Sequence, residues 1–257
     1  MTFTPEWLTL REPADAAARS EALLPPLRAA LVNRTRVVVR DVGCGTGSMA
    51  RWLAPRLPMP QHWVLQDRDP ALLAAAARMV TGVPAETHQA DLSTLTPSDL
   101  SDTDLVTASA LLDLLTAEEI NTLATACTGR PTLLTLSVAG VVELTPTHPL
   151  DAEFQSAFND HQRRTESSRR LLGPDAIPVA TDAFESAGFT VTTAPSPWRL
   201  GPTEAALTKE WLQGWVSAAV EQEPSLAEAP AYLTHRLSAP LRAVVHHTDL
   251  LALPRTE

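Results

Sequence analysis

A glycine-rich run is the part of the sequence whose residue types best suit ligand binding. The run D-V-G-C-G-T-G at 41–47 directly follows a β-branched stretch at 36–42 and precedes a helical pattern. Glycine suits a tight strand-to-helix turn, because it tolerates positive φ angles and lets a ligand approach the backbone closely. The start of the following helix offers unpaired N–H groups to a polar or negative ligand. The run therefore predicts a ligand-binding loop.

The spacing of the glycines narrows the choice of ligand. A dinucleotide fingerprint reads G-x-G-x-x-G or G-x-G-x-x-A, whereas Ser48 holds the position of its third small residue. The Gly-Lys-Ser/Thr run of a phosphate-binding P-loop is absent. Asp67 lies 20 residues after Gly47, at the end of a second predicted strand. An ionised carboxylate there accepts hydrogen bonds from both hydroxyls of a ribose, so a nucleoside site is favoured.

Strand and helix patterns alternate along the chain, which predicts a doubly wound, mostly parallel α/β sheet. The predicted strands lie at 36–42, 62–66, 87–90, 104–109, 132–138, 189–193 and 243–253. The predicted helices lie at 14–31 with a break at the prolines 25 and 26, after the glycine loop until Pro55, and at 70–80, 117–128, 151–170, 181–187, 203–222 and 227–237. We expect one domain over 1–257, entered through a helical segment within 1–34.

Composition excludes several classes of protein. The chain has 257 residues and a net charge of −10, which disfavours binding to a nucleic acid backbone. Two cysteines exclude a disulfide scaffold or a multi-cysteine zinc site. No apolar stretch reaches the length of a membrane helix, and the N-terminus lacks the pattern of a secretory signal. His246 and His247 point to opposite faces of a strand, so we assign no metal. A cytoplasmic protein without membrane contact is expected.

The glycine run, together with Asp67, resembles the class I S-adenosylmethionine-dependent methyltransferases over about residues 35–140. The resemblance implies a Rossmann-like seven-stranded sheet whose last strand is reversed, and S-adenosylmethionine as cofactor. It implies that Asp41, Gly43, Gly45 and Gly47 shape the pocket for the methionine part and the ribose, with Cys44 packed in the loop rather than acting as a nucleophile. It also implies that Asp67 binds the ribose, that Arg68 flanks the adenine, that Asp91 and Leu92 contact the adenine amino group, and that the segment from Ser109 to Leu112 lines the methyl-transfer site.

Candidate acceptor-site residues follow the later strands, because parallel sheets bind ligands beyond the carboxyl ends of their strands. Asp113 is a candidate general base or anchor, or else a helix-start acid. His148 is a candidate base, or else a surface histidine. Trp198 and Arg199 suit stacking and anion binding, although Trp198 also suits the core. His161 lies on a polar helix and Trp7 on the entry helix. Arg19 is expected to pair with the methionine carboxylate, or with Glu21 or Asp15 in a surface salt bridge.

We expect the segments at about 141–175 and 195–240 to form a helical lid around a small-molecule acceptor, which receives the methyl group by direct in-line displacement. Two alternatives stay open. An NAD-dependent oxidoreductase is disfavoured by the loop spacing and by the absence of a close Tyr–Lys pair. An S-adenosylmethionine-binding protein without turnover would keep the same loop. Acidic charge disfavours a protein or nucleic acid acceptor, and the oligomeric state is open.

Overall fold

A mixed eight-stranded sheet forms the centre of the computed structural model, which describes residues 4–226, 228–238 and 240–255. Its order is β3-β2-β1-β4-β5-β10-β8, with β9 paired to β10. The strands are β1 (Val37–Val42), β2 (Gln61–Asp67), β3 (Ala85–Gln89), β4 (Leu105–Ser109), β5 (Thr132–Thr145), β8 (Phe189–Pro195), β9 (Trp198–Leu200) and β10 (Arg242–Pro254). The first five run parallel, and β10 is antiparallel to β5, β8 and β9. The predicted doubly wound sheet with a reversed last strand is confirmed, and β9 is an addition to it.

The entry segment differs from its prediction. It contains α1 (Pro5–Ala18) and α2 (Leu24–Leu31), and the helix breaks at Arg19 rather than at the prolines. Pro25 and Pro26 instead stand in the first turn of α2, where a missing N–H leaves no helical hydrogen bond unmade. The break turns the chain so that α1 and α2 pack on different parts of the molecule.

The later helices follow the predicted order with shifted ends. They are α3 (Ser48–Leu53), α4 (Pro70–Met79), α5 (Ala117–Ala126), α6 (Asp151–Gln162), α7 (Ala176–Ser186), α8 (Ala205–Gln222) and α9 (Ala229–Leu237). Pro55 stands just beyond α3, which ends as predicted. Ala227, the predicted first residue of the last helix, lies outside the described residues.

The prediction of a helix over 151–170 is wrong for the second half of this range. The helix stops at Gln162, and the chain forms a hairpin of β6 (Thr165–Glu166) and β7 (Arg169–Arg170). Ser167 and Ser168 make the two-residue turn at φ angles of 48° and 72°. Such turns match the twist of a hairpin and usually carry Asn or Gly, so the Ser-Ser pair gave no turn signal.

Three apolar clusters hold these elements together. Leu27 and Trp63 belong to the cluster on one face of the sheet, and Ile120 and Phe184 belong to that on the other. The third cluster lies where β5 and β10 extend beyond the parallel strands, and α6, α8 and α9 pack on it. The two predicted lid segments thus pack against each other in one layer. Among the described residues, no helix is long and apolar enough to cross a membrane.

Candidate active site

A cleft of about 500 Å³ lies at the carboxyl ends of the parallel strands. Adjacent parallel strands bring the residues that follow them to one edge, although these residues are far apart in sequence. The sequence-predicted residues that line the cleft are Asp41, Gly43, Cys44, Gly45, Asp67, Arg68, Asp91, Leu92 and Ser109. Gly47 lies beside them as the N-cap of α3. The structure therefore brings together almost all of the predicted cofactor residues.

The glycine loop is held in a conformation that other residues adopt with strain. Gly43, Gly45 and Gly47 have φ angles of 67°, 56° and 83°. A Cβ at Gly47 would lie 2.4 Å from Cγ2 of Val80, so the loop also needs glycine for packing. A Cβ at Gly45 would lie 3.1 Å from Cδ1 of Leu8, which belongs to α1. The entry helix therefore covers the loop directly.

The Asp67 carboxylate at the end of β2 is fixed by main-chain donors. Gly45 N donates to Oδ2 at 2.9 Å, and Asp69 N donates to Oδ1 at 3.0 Å. Each carboxylate oxygen keeps a further lone pair for a ligand. Asp69 itself caps α4, and Arg68 is exposed at the rim of the cleft. Asp67 is thus oriented before any ligand arrives.

Asp41 is fully buried at the end of β1 and only half satisfied. Its Oδ1 accepts a hydrogen bond from Oγ1 of Thr107 at 2.7 Å, whereas Oδ2 has no partner among the described residues. Burial raises the pKa of Asp41 to about 7. The same environment raises the pKa of the buried Cys44 thiol, which argues against a nucleophilic role for it.

Arg19 is a buried cation on the inner side of the same cleft. Its Nη2 donates to Oγ of Ser48 at 3.1 Å and to Oγ of Ser109 at 3.0 Å, and both serines line the cleft. Nε and Nη1 have no partner among the described residues, and burial lowers the pKa of this guanidinium. The surface salt bridge expected as an alternative is not formed, since Asp15 pairs with Arg11 and Glu21 with Arg56.

Helix α1 forms one cover of the cleft and presents Arg11 and Asp15 to it. Arg11 Nε donates to Oδ2 of Asp15 at 3.0 Å, and its guanidinium carbon lies 4.9 Å from the ring centre of Trp198. Nε1 of Trp198 donates to Oδ1 of Asp15 at 2.9 Å. Trp198 therefore holds α1 in place and does not line the cleft, in contrast to its predicted substrate contact. The i,i+4 spacing of Arg11 and Asp15 signals their pairing, but no sequence signal links them to Trp198.

The β6–β7 hairpin lies at the opposite side of the cleft. Arg164, Glu166 and Arg169 line it, and so does the adjoining Leu171. Arg169 donates from Nε to Oε1 of Glu119 at 2.8 Å and from Nη2 to Oε2 at 2.7 Å. The pairing raises the pKa of Arg169 and lowers that of Glu119. Sequence reasoning missed this group because it assigned the segment to a helix.

The two histidines predicted for the acceptor site lie away from the cleft. Nδ1 of His148 accepts a hydrogen bond from Leu150 N at 3.2 Å, and its ring packs edge-on against Tyr232. His161 is buried in the third cluster's layer, with Nε2 lying 3.3 Å from Oε2 of Glu221. The His148 ring is packed within the helical layer on β5 and β10, whereas Nδ1 of His161 lies 3.4 Å from Nη1 of the cleft-lining Arg164.

Three more predicted substrate contacts also lie outside the cleft. Leu112 is buried in the sheet cluster that contains Ile120, because its side chain points away from the cleft-lining Leu111. Trp7 packs against the third cluster, and Arg199 is exposed on β9. These three residues lie outside the cleft because of where the fold places their elements, although their positions along the chain suggested otherwise.

Asp113 lies on a short turn after β4, between two segments that reach the cleft. Leu111 and Leu114 line the cleft although Asp113 itself does not, and burial raises the pKa of the Asp113 carboxyl. The cations that act on it are Arg11 and Arg164, which also line the cleft. Asp113 is the first-turn acid of the short 3-10 helix Leu112–Leu114, whereas α5 is capped by Thr116 and has Glu118 and Glu119 in its first turn.

Acidic and histidine side chains form no candidate metal centre within the described ranges. His246 pairs with Glu143 at the surface, where Nε2 lies 2.6 Å from Oε1. His247 is buried beside Trp198, and burial lowers its pKa to about 3. The neighbouring histidines therefore occupy separate environments.

Residues 39–129 match a family model described as a methyltransferase domain. The matched segment runs from β1 through α5 and contains the glycine loop, Asp67 and Asp91. No curated protein matches the sequence significantly. The match therefore covers about a third of the chain, and this part supplies most of the residues that line the cleft.

Several solved structures are similar to this chain at low sequence identity. The YcgJ protein from Bacillus subtilis is 12% identical, with 93% of this chain and 100% of that chain covered and a TM-score of 0.52. The cyclopropane synthase MmaA2 from Mycobacterium tuberculosis is 16% identical, with 97% and 94% covered and a TM-score of 0.49. A methyltransferase from Geobacter sulfurreducens, solved with S-adenosyl-L-homocysteine, is 18% identical, with 99% and 100% covered and a TM-score of 0.48. The fold likeness, together with the match over residues 39–129, shows that the chain carries a methyltransferase domain.

Proposed function

We propose that this methyltransferase transfers the methyl group of S-adenosylmethionine to a small-molecule acceptor by direct in-line displacement. The observation that carries the proposal is a row of polar groups along one cleft. The sheet order places Asp91 after β3, Asp67 at the end of β2, Asp41 in β1 and Ser109 at the end of β4. This row is complementary to an adenine, a ribose and an amino acid in sequence.

The residues at one end of the row fit the amino acid part of the cofactor. Arg19 has two unpartnered buried donors, and Asp41 has one unpartnered buried acceptor. A buried polar group without a partner costs stability, so such groups are expected to serve a ligand. We assign Arg19 to the carboxylate and Asp41 to the ammonium group.

The other assignments follow the same row. Asp67 accepts from the ribose hydroxyls, since its orientation is already fixed by Gly45 and Asp69. Asp91 and Leu92 hold the adenine edge, with Arg68 flanking it at the rim. Acidic side chains predominate in this half of the cleft, which suits a cofactor of net positive charge.

The acceptor end is lined by both apolar and charged side chains, among them Leu111, Arg11 and Arg164. S-adenosylmethionine, when bound, supplies an electrophilic methyl group that the acceptor's nucleophile attacks opposite the sulfur. Leu8 and Leu111 lie over the glycine loop and exclude water there, and the enclosure aligns the reactants. Walls made by α1 and the hairpin suit a small molecule rather than a folded polymer.

We assign the role of general base to Asp113 rather than to His148. A raised pKa makes the Asp113 carboxylate a stronger base than an exposed one, and the cations that act on it line the cleft. His148 is engaged with Leu150 and Tyr232 in the helical layer. We also propose that this layer, within a single domain, supports the cleft, while only the hairpin end of the first lid segment reaches it.

Thermal unfolding with S-adenosylhomocysteine, and with NAD as control, tests the cofactor. A ligand at about 100 times its Kd stabilises the fold by roughly 2.7 kcal/mol, which raises the Tm by about 5 °C. We expect the shift with S-adenosylhomocysteine alone. A shift with NAD alone would favour the oxidoreductase alternative.

Transfer of labelled methyl groups to fractions of a cell extract tests the acceptor. We expect label in the small-molecule fraction, and a loss of about 100-fold in rate with Asp113→Asn at unchanged S-adenosylhomocysteine affinity. Label in the macromolecular fraction would contradict the acceptor class. Tight cofactor binding without transfer to any fraction would favour a binding protein without turnover.

A further inference from the structure

The hairpin of residues 165–170 is joined to α5 by an ion pair of Arg169, beyond the point where the buried Leu171 anchors its base. Arg169 makes a two-pronged contact with Glu119 of α5, and its Nη2 also donates to the carbonyl oxygen of Leu114 at 3.0 Å. Among the described residues, this is the salt bridge that joins the hairpin to a helix flanking the sheet. The other ion pairs near the hairpin, Arg163–Asp175 and Arg164–Glu166, lie at its base or within it.

The side chains of Glu119 and Arg169 differ in how tightly the surrounding structure holds them. Glu119 is fixed, because its Oε2 also accepts a hydrogen bond from Thr116 N at 2.9 Å in the capping box of α5. The Arg169 side chain is 40% exposed and extends from a two-stranded hairpin with an exposed Ser-Ser turn. Solvent screens a partly exposed ion pair, so this pair can be broken at modest cost although Arg169 contacts both carboxylate oxygens of Glu119. The pair is therefore suited to repeated opening.

Helix α1, the other cover of the cleft, is held more tightly than the hairpin. The Arg11 and Asp15 side chains on α1 are 11% and 6% exposed, and Trp198 holds both. Glu12 of α1 also pairs with Arg51 of α3. Leu8 and Leu111 already cover the glycine loop. We therefore expect either α1 or the hairpin to move when a cofactor enters or leaves. The hairpin is the cover with the weaker attachment.

We propose that Arg169 and Glu119 form a latch that closes the hairpin over the cofactor cleft and sets how long the cofactor product stays bound. The proposal rests on the proposed function for the identity of that product. Arg169 and Glu119 are positioning residues, since they act through the hairpin. Opening the latch breaks the contacts of Arg169 with Glu119 and Leu114 and moves Glu166 and the Ser-Ser turn away from the cleft. The base of the hairpin stays in place, because Leu171 is buried and Leu172 N donates to the carbonyl oxygen of Leu115 at 3.0 Å.

Stopped-flow release of S-adenosylhomocysteine tests the latch in Arg169→Met, Glu119→Gln and the double variant. Glutamine keeps the capping box but loses the charge. Arg170→Met is the matched control, because Arg170 is the exposed neighbour on the same strand and makes no ion pair among the described residues. We expect about fivefold faster release in each single variant, no further gain in the double variant, and wild-type release in the control. Release within twofold of wild type, or effects that add in the double variant, would overturn the latch.

Proteolysis of the ligand-free protein gives a second readout that does not depend on the cofactor. A protease specific for glutamate can cut at Glu166, within the hairpin, when the hairpin opens. We expect faster cutting at this position in Arg169→Met and Glu119→Gln than in Arg170→Met, at similar Tm values. Equal cutting rates would overturn the latch even where S-adenosylhomocysteine binds. Faster cutting in a protein that fails to bind S-adenosylhomocysteine would leave the latch standing and count against the proposed function alone.

Discussion

On the sheet side of the cleft, main-chain donors fix the Asp67 carboxylate, whereas on the facing side, side-chain contacts are the main attachments of α1 and the hairpin. Asp67 is fixed by the N–H groups of Gly45 and Asp69. On the facing side, Trp198 holds Asp15, and Glu119 holds Arg169. The first kind of contact depends on the sheet being formed, while the second depends on individual side chains.

The sheet side therefore provides the groups that bind the ligand, and the facing side provides the elements that enclose it. Groups fixed by the backbone stay oriented without a ligand, which reduces the cost of binding. Groups fixed by side-chain pairs can be released one at a time, with α1 held by buried partners and the hairpin by half-exposed ones. We therefore expect substitutions on the sheet side to change affinity and substitutions on the facing side to change stability or rates.

Asp67→Ala is expected to give the largest effect. It removes the proposed ribose contact and leaves Gly45 N and Asp69 N without their acceptor. Hydrogen bonds to a charged group are worth about 1.5–3 kcal/mol each, so S-adenosylhomocysteine affinity should fall about 100-fold. Calorimetric titration measures it. Asp69→Asn, at the same rim, is the control and should stay within about threefold of wild type; equal losses in both variants would contradict the special role of Asp67.

Asp41→Asn should remove a pH dependence on the same side. The folded-state pKa of about 7 lies above the ordinary value of 3.8, so the folded chain holds a proton that the unfolded chain releases. This contribution to stability is present below about pH 4 and is lost as the pH rises to about 7. Without ligand, the free energy of unfolding of Asp41→Asn should therefore rise relative to wild type over this range.

In the wild type, S-adenosylhomocysteine binding should become stronger as the pH rises, whereas stability falls. Ionised Asp41 pairs with the ammonium group, so S-adenosylhomocysteine affinity should rise about tenfold as the pH passes through 7, and this rise should be absent in Asp41→Asn. Chemical unfolding and titration at several pH values measure the two trends. An identical pH profile in both proteins would remove Asp41 from the proposed ammonium site.

Trp198→Phe tests how α1 is held on the facing side. The substitution removes the indole N–H that donates to the buried Asp15 and should lower the free energy of unfolding by about 1–2 kcal/mol. Trp211→Phe is the matched control, since Trp211 is half-buried on α8 and its indole nitrogen donates no hydrogen bond within the described chain. Denaturant titration compares them. An equal loss in both would show that ring size, not the contact with Asp15, holds α1.

The sheet side was predictable because its signals are local. A β-branched run, three glycines and an acid at the next strand end specify a loop and its neighbour without reference to distant residues. The strand order then follows from short connections and right-handed crossovers. Pro55 likewise ended α3 where its missing N–H predicts.

The facing side was not predictable because its signals are distant or absent. Trp198 and Asp15 meet across 183 residues, and nothing in either neighbourhood indicates the partner. The Ser-Ser turn of the hairpin lacks glycine, asparagine and proline, so its polar flanks suggested a continuing helix. His148 was chosen as a base because of its residue type and its place after the fifth strand, whereas its environment is set by the packing of Tyr232 from another helix.

His148→Asn should therefore have the smallest effect. Asparagine keeps an acceptor for Leu150 N, and the ring contacts with Tyr232 are partly exposed, so the loss of stability should be under about 1 kcal/mol. Because His148 lies outside the cleft, S-adenosylhomocysteine affinity and the methyl-transfer rate to the labelled fraction should stay within about twofold of wild type. A rate loss comparable to that of Asp113→Asn would mean that the helical layer moves His148 to the acceptor during turnover. In that case the helical layer on β5 and β10 would belong to the facing side of the cleft.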